Sequence, residues 1–331
     1  MNMDEALPLI FMSVMGLAML IYVILDGYDL GVGILLPWAS DADKDMMVAS
    51  IGPFWDANET WLVLGVGVLL IAFPQAHGII LTALYLPVAL MLLGLTLRGV
   101  AFDFRVKAKD RHRGLWNAAF SAGSWIAAVS QGWMLGAYIT GFRDDALATL
   151  FSLGIAFTLP AAYVLLGSGW LVMKTEGNLQ ALAVKWGRRA LWPMMIALVA
   201  ISVATPLVSP TVFEKWFGFP QLFALAPIPL ACAVALATLW HVFNRPRIIA
   251  AGYGWLIFAA MVLICVMATI GLAYSMYPYI VMDRLTVWQA ASSPDALKII
   301  LFGVAITLPA ILGYTVFVYR IFWGKATELR Y

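Results

Sequence analysis

Long uninterrupted apolar runs, separated by short polar loops, dominate the hydropathy pattern of this chain. Each run is long enough to cross a bilayer as an α-helix, which takes about 20 residues. The runs are continuous rather than alternating, which excludes a closed β-barrel. The pattern predicts nine membrane-spanning helices, at residues 7–36, 53–73, 79–101, 115–139, 147–173, 191–208, 221–240, 255–274 and 297–323.

The composition agrees with an all-α integral membrane protein. Of the 331 residues, 63% are hydrophobic and only 11% are charged, a distribution that no soluble domain of this size has. Because the loops are short, consecutive helices are expected to pack as antiparallel neighbours. We therefore predict one transmembrane domain, residues 1–331, built as two four-helix bundles within 1–140 and 141–331, with one peripheral final helix.

Lys and Arg concentrate in loops on one side of the predicted bundle. The loop after the third span carries Arg105, Lys107, Lys109, Arg111 and Arg113, and the next loop on that side carries Lys174, Lys185, Arg188 and Arg189. Cytoplasmic loops are enriched in Lys and Arg, so the sequence predicts an N-terminus outside and a C-terminus in the cytoplasm. The same rule accounts for the net charge of +2, which therefore indicates no nucleic-acid partner.

Charged residues well inside the predicted spans are confined to the first three. An Asp in a transmembrane segment is disfavoured by roughly 2.5 to 3.5 kcal/mol, so it normally faces a protein interior or a water-filled path. Asp26 and Asp29 are the most unusual, because they share one face near the C-terminal end of the first helix, where the helix dipole opposes an anion. In the predicted orientation they lie at the same depth in the membrane as Asp56, Glu59 and Arg98, and Asp103 lies just beyond this layer on the cytoplasmic side.

Two interpretations of this layer are open. Close carboxylates under partial desolvation have coupled, raised pKa values and exchange protons near neutral pH, as intramembrane proton relays do. The candidates for such a proton path are Asp56, Asp26, Asp29, Glu59, Arg98 and Asp103. Alternatively, the same residues form a buried ion-pair network that only fixes the register of the helices.

Several residues near the layer are predicted to serve helix packing. Gly27 and Gly31 form a small-xxx-small step, which lets two membrane helices approach closely. Gly33 and Trp55 are assigned to packing in the same region.

The three histidines, His77, His112 and His241, lie in predicted loops or at a helix end. A haem normally takes an axial His, Met or Cys, and methionines in an apolar chain are more often packing residues. No spacing of His, Cys and carboxylates is typical of a metal site. We therefore expect this chain to ligate neither haem nor a metal ion.

Four sequence blocks together resemble subunit II of the cytochrome bd-type quinol oxidases. Residues 26–33 (Asp-Gly-Tyr-Asp-Leu-Gly-Val-Gly) are similar to the first-helix signature of that family, and 53–59 (Pro-Phe-Trp-Asp-Ala-Asn-Glu) to its second. Arg98 with 102–105 (Phe-Asp-Phe-Arg) matches a third block, and 277–279 (Tyr-Pro-Tyr) with 286–293 (Thr-Val-Trp-Gln-Ala-Ala-Ser-Ser) matches a fourth. The blocks occur in the family's order over nearly the whole chain.

The chain also departs from the commonest family pattern. Phe54 stands where many members have His, Ala57 replaces a Gly, and Glu59 stands where Gln is frequent. With the short loop between the sixth and seventh spans, these features resemble the cyanide-insensitive branch of the family. Phe54 removes a titratable group from its position, whereas Glu59 adds one.

The resemblance implies a subunit of a quinol:oxygen oxidoreductase in a bacterial inner membrane. The haem-bearing subunit I would hold two b-type haems and one d-type haem, oxidise quinol and reduce oxygen to water, and this chain would pack against it without ligating haem. Cytoplasmic protons would reach the oxygen site along the interface, past the position of Asp56. Whether a small accessory subunit, lipid or a structural quinone also binds is left open by the resemblance.

Two further functions are compatible with the residues alone. A proton-coupled secondary transporter could use the same carboxylates, although no paired broken helices mark a midplane substrate site in both halves of the chain. The chain could also be a purely structural membrane scaffold.

Overall fold

The computed structural model describes residues 2–326, and nearly all of them are helical. The helices are α1 (Met3–Leu35), α2 (Asp41–Ile51), α3 (Trp55–Ala72), α4 (Pro74–Ala83), α5 (Tyr85–Lys107), α6 (Asp110–Ile139), α7 (Ala146–Lys174), α8 (Gly177–Val208), α9 (Pro210–Phe217), α10 (Gln221–Leu225), α11 (Pro227–Phe243), α12 (Pro246–Ile248), α13 (Trp255–Met276), α14 (Val287–Ala290) and α15 (Pro294–Ile321). Two short strands, β1 (Tyr279–Val281) and β2 (Leu285–Thr286), pair as an antiparallel hairpin before α14.

The predicted all-α membrane fold is confirmed. Eight helical segments among the described residues are long and apolar enough to cross a membrane: α1, α3, α5, α7, α8, α10 with α11, α13 and α15. The fourth predicted span corresponds to α6, which is 30 residues long but more polar. Its buried polar residues, Ser121, Ser124, Ser130 and Gln131, fit a helix that packs between α5 and α7.

Two predicted spans are each divided between two helices. The span predicted at 79–101 is broken at Leu84, between α4 and α5. Pro87 has no N–H to donate to the carbonyl of Ala83, so the helical hydrogen-bond ladder is interrupted at this point. The span predicted at 221–240 is likewise divided at Ala226, where Pro227 begins α11.

The centre of the molecule is α1, which packs against α3, α6, α7 and α13. Gly31 and Gly167 let the backbones of α1 and α7 touch, because a Cβ at Gly31 would overlap the Tyr163 carbonyl oxygen. Gly27 lies against the Tyr163 ring, and Gly33 lies against α6, where a Cβ would overlap Ser124. The polar half of α1 is therefore surrounded by protein rather than by lipid.

The two ends of the bundle are built differently. At the hairpin end, Trp288 of α14 donates to the backbone oxygen of Glu5 at 3.0 Å, and the Ser292 N–H donates to Ala72 at 2.8 Å. At the opposite end, which we call the α2 end, Arg105 of α5 reaches Asp45 of α2 at 2.7 Å. The N-terminus of α3 and the C-termini of α1, α5 and α7 all lie at the α2 end.

Candidate functional site

A buried arginine lies between three helices near the α2 end. The side chain of Arg98, on α5, is 1% exposed, and its Nη2 lies 2.5 Å from Asp26 Oδ1 of α1. The same nitrogen forms an ion pair with Glu59 of α3, whose side chain is 27% exposed. One guanidinium thus joins a carboxylate inside the bundle to another that is partly open to the surroundings.

Several polar atoms of this cluster are buried and have no hydrogen-bond partner among the described residues. They are Asp26 Oδ2, Asp29 Oδ1, Arg98 Nε and Arg98 Nη1. Buried polar atoms are nearly always paired, so each unpaired one needs an explanation, which can be strain, a catalytic role, or a bound water or ion. The two free carboxylate oxygens belong to the residues deepest in the bundle.

Asp29 is held by Asn58 rather than by Arg98. The Asn58 amide donates at 2.8 Å to Asp29 Oδ2 and at 2.8 Å to the Tyr28 hydroxyl. The Tyr319 hydroxyl donates at 3.1 Å to Asn58 Oδ1, and the two tyrosine oxygens lie 2.6 Å apart. Because the Tyr319 hydroxyl donates to Asn58, the bond between the two tyrosines is donated by Tyr28. The three hydrogen bonds, from Asn58 to Tyr28, from Tyr28 to Tyr319 and from Tyr319 to Asn58, form a ring that joins α1, α3 and α15.

A second polar chain leaves the cluster toward α6 and α7. Tyr22 precedes Asp26 by one turn, on the same face of α1. Gln131 Nε2 donates to the Tyr22 hydroxyl at 2.8 Å, and the Tyr163 hydroxyl donates to Gln131 Oε1 at 2.5 Å. Buried hydroxyl and amide groups therefore extend the carboxylate cluster across the bundle.

Asp56 and Asp103 lie apart from the buried cluster. Both are exposed on the outside of α3 and α5, and no ion pair joins either of them to Arg98 within residues 2–326. Positions i and i+3 differ by about 60° around a helix, so Glu59 can turn inward while Asp56 faces outward. Trp55 packs beside them, with its ring 5.0 Å from that of Phe102.

An aromatic group closes the site at the α2 end. Phe54 is buried and packs against Trp170 and Tyr319, with ring centroids at 5.3 and 4.6 Å. The Lys174 ammonium lies 5.2 Å from the centre of the Phe54 ring and donates to the Phe322 carbonyl at 2.6 Å. The position where many family members have His is therefore occupied here by a buried aromatic side chain that does not titrate.

Sequence reasoning missed several members of these networks. Asn58 lies between Asp56 and Glu59 in the 53–59 block that resembles the family signature, so the sequence indicated that it is near the site. Gln131 is a polar residue in a predicted span and was also detectable. Tyr319 is 291 residues from Tyr28, and no local pattern marks their contact.

The contact between Asn58 and Asp29 predicts different effects for two substitutions. Asp29→Asn keeps a side-chain oxygen that accepts from Asn58, whereas Asp29→Leu removes this acceptor and leaves the amide with the Tyr28 hydroxyl and the more distant Leu25 carbonyl at 3.4 Å. Weakening a buried hydrogen bond in this way costs on the order of 1 kcal/mol. We expect Asp29→Leu to lower the yield of folded protein and its midpoint of thermal unfolding in detergent, and Asp29→Asn to lower them less. Equal losses in the two variants would contradict a hydrogen-bonded role for Asp29.

Comparison with known proteins connects this arrangement to one family. Residues 7–322 match the family model for cytochrome bd terminal oxidase subunit II. The chain is 27% identical to cytochrome bd-I ubiquinol oxidase subunit 2 of Escherichia coli K12, covering 98% of this chain and 96% of that one. It is 26% identical to cytochrome bd ubiquinol oxidase subunit 2 of Bacillus subtilis 168, covering 93% of each. The fold resembles a chain of the bd oxidase from Geobacillus thermodenitrificans, with a TM-score of 0.77 and 18% identity over 96% of this chain and 99% of that one.

Proposed function

Because the chain belongs to the cytochrome bd terminal oxidase subunit II family, we propose that it supports a haem-bearing subunit I and delivers cytoplasmic protons for the reduction of oxygen. Its relatives are subunits of ubiquinol oxidases, so the chain acts within an oxidoreductase complex. Its partner is subunit I.

One observation carries the proton-delivery proposal: acidic groups lie at increasing depth from the surface of α3 to the centre of the bundle. Asp56 is exposed, Glu59 is partly exposed, and Asp26 and Asp29 are fully buried. Arg98 pairs with both Asp26 and Glu59, so it links the partly exposed part of this path to its buried part.

We assign the outer surface of α3 and α5 to the contact with subunit I. This surface carries Asp56 and Asp103 among exposed apolar side chains that include Val63 and Leu93. Carboxylates on a membrane-facing surface are costly against lipid and are better satisfied by a protein neighbour or enclosed water. Protons entering at Asp56 would then be next to the partner that reduces oxygen.

The remaining features of the proposal follow from the family and the charge pattern. The basic residues that were predicted in two loops lie mostly in the ends of helices: Arg105 and Lys107 end α5, Arg111 and Arg113 begin α6, and Lys185 lies within α8. The α2 end faces the cytoplasm of a bacterial inner membrane, because Lys and Arg are concentrated in the helix ends there. Subunit I holds two b-type haems and one d-type haem, and these groups supply the electron transfer and the oxygen chemistry. His77, His112 and His241 of this chain lie within one turn of a helix end, and we propose no haem-ligating role for them. Phe54, Ala57 and Glu59 associate the complex with the cyanide-insensitive branch.

The proposal predicts a coloured two-chain complex. Affinity purification through a tag on this chain, expressed with its subunit I, is expected to yield both chains, the absorption bands of b-type and d-type haem, and quinol-driven oxygen consumption. The chain expressed alone is expected to be colourless. A colourless single chain that transports a solute with protons would instead support the secondary transporter, and stoichiometric haem in the isolated chain would contradict the division of roles.

A further inference from the structure

A large polar cavity opens at the α2 end, away from the carboxylate cluster. Its volume is about 690 Å³, within the range of small-molecule sites, and it lies between α2, the end of α5 and the start of α6. The charged side chains in its wall are four cations and two carboxylates, namely Lys44, Arg105, Arg111, Arg113, Asp41 and Asp45. The wall therefore carries an excess of positive charge.

One lining cation, Arg105, is held by hydrogen bonds. Arg105 is buried, and its guanidinium is oriented by Asn117 at 2.5 Å and by Asp45 at 2.7 Å. Lys44 bonds Asp41 at 2.8 Å, which holds the pKa of that exposed carboxyl below its ordinary value and keeps it ionised. Arg111 lies on the exposed wall and has no carboxylate within ion-pair distance among the described residues. Asp45 also lies 3.6 Å from the Arg113 guanidinium. Two carboxylates thus face four cations, which leaves the exposed Arg111 to bind an anion.

Aromatic residues place the cavity at the level of lipid headgroups. Phe104 and Trp116 stack beside it with ring centroids 5.2 Å apart, and Phe104 is exposed. Trp38, next to the lining residue Pro37, is 59% exposed, and Leu115, next to Gly114, is also exposed. Exposed aromatic rings mark the interface of a membrane, where the phosphate groups of lipids lie.

We propose that this cavity binds the phosphate headgroup of an anionic phospholipid, with the acyl chains lying along exposed apolar side chains of α6, such as Leu115. The phosphate accepts from Arg111, and Arg113, which is paired with Asp45, adds positive charge to the same wall. Basic pockets between membrane helices are the usual receptors for such headgroups. This site is independent of the proton path, because none of its lining residues belongs to the carboxylate cluster.

The test compares two double variants of the complete complex. Arg111→Gln with Arg113→Gln removes two cations from the cavity wall and leaves the buried Arg105 in place. Lys107→Gln with Lys109→Gln removes the same charge from exposed positions outside the cavity. Both complexes are washed in the same detergent, and their retained lipids are identified by native mass spectrometry.

We expect the parental complex and the Lys107/Lys109 variant to retain phosphatidylglycerol in preference to phosphatidylcholine. The Arg111/Arg113 variant should bind added phosphatidylglycerol on the order of 30-fold more weakly, from the contribution of each basic residue. Equal retention by the two variants would overturn the proposal, as would equal binding of phosphatidylcholine.

A second measurement distinguishes a bound phospholipid from a bound inorganic anion. Added phosphatidylglycerol should raise the thermal midpoint of the parental complex, whereas inorganic phosphate should leave it unchanged. An equal rise with inorganic phosphate would identify a site for free anions and overturn the lipid assignment. Failure of the Arg111/Arg113 variant to pair with subunit I would show that the cavity is a contact between subunits, which would also overturn it.

Discussion

Arg98→Met is expected to prevent assembly of the complex almost completely. Arg98 neutralises Asp26 and Glu59 together, so the substitution leaves a fully buried and a partly buried carboxylate without a counter-charge. Removing one partner of a buried ion pair costs about 3 to 5 kcal/mol, a large part of the total stability of a typical domain. The measurements are the yield of the two-chain complex from membranes and the midpoint of its thermal unfolding in detergent.

Two further variants test whether the unpaired buried carboxylates cause the loss of complex yield. Arg105→Met also removes a buried guanidinium, but its partner Asp45 is 44% exposed and can be rehydrated, so we expect a smaller loss of yield. Combining Arg98→Met with Asp26→Leu and Glu59→Met removes the whole ion-pair group, and replacing a complete pair by apolar residues is often neutral. The triple variant should therefore recover much of the yield while its oxygen consumption stays low. A triple variant that assembles no better than Arg98→Met would show that an unpaired charge is not the cause.

Much of the fold was predictable, because membrane spans are defined by length and hydropathy alone. The continuous apolar runs identified every long helix, and the scarcity of charge within them identified Asp26, Asp29 and Arg98 without any tertiary information. The division between α4 and α5 was missed, although Pro87 was a visible signal.

The arrangement within the site was less predictable, because it depends on contacts between distant segments. The sequence places Asp56 and Glu59 on nearby parts of one helix face, yet only the packing of α3 against α1 and α5 decides which of them turns inward. The ring of Tyr28, Asn58 and Tyr319 likewise depends on where α15 docks. Gly31 suggested a close helix contact but not its partner, the backbone of Tyr163.

The second large effect is expected at Asp56. This residue lies in the first turn of α3, on the surface that we assign to subunit I, three residues before Glu59. Asn keeps the size and hydrogen bonding of Asp but cannot ionise, and because the side chain is exposed, the substitution should not disturb folding of this chain. Asp56→Asn should leave haem content and assembly near parental while quinol-driven oxygen consumption falls to about a hundredth, the scale that a positioned proton-transfer group contributes. Proton-coupled steps in a single turnover should slow more than electron transfer between haems.

Two companion variants distinguish a proton role from a local contact. Asp144→Asn makes the same change at an exposed position near the hairpin end and should leave turnover unchanged. Asp56→Glu restores an ionisable group and should recover a large part of the rate, which a purely steric role would not allow. If Asp56→Asn assembles fully and turns over at the parental rate across neutral pH, protons do not enter at Asp56. Glu59 would then be the outermost acidic group of the path, since its side chain is 27% exposed and already paired with Arg98.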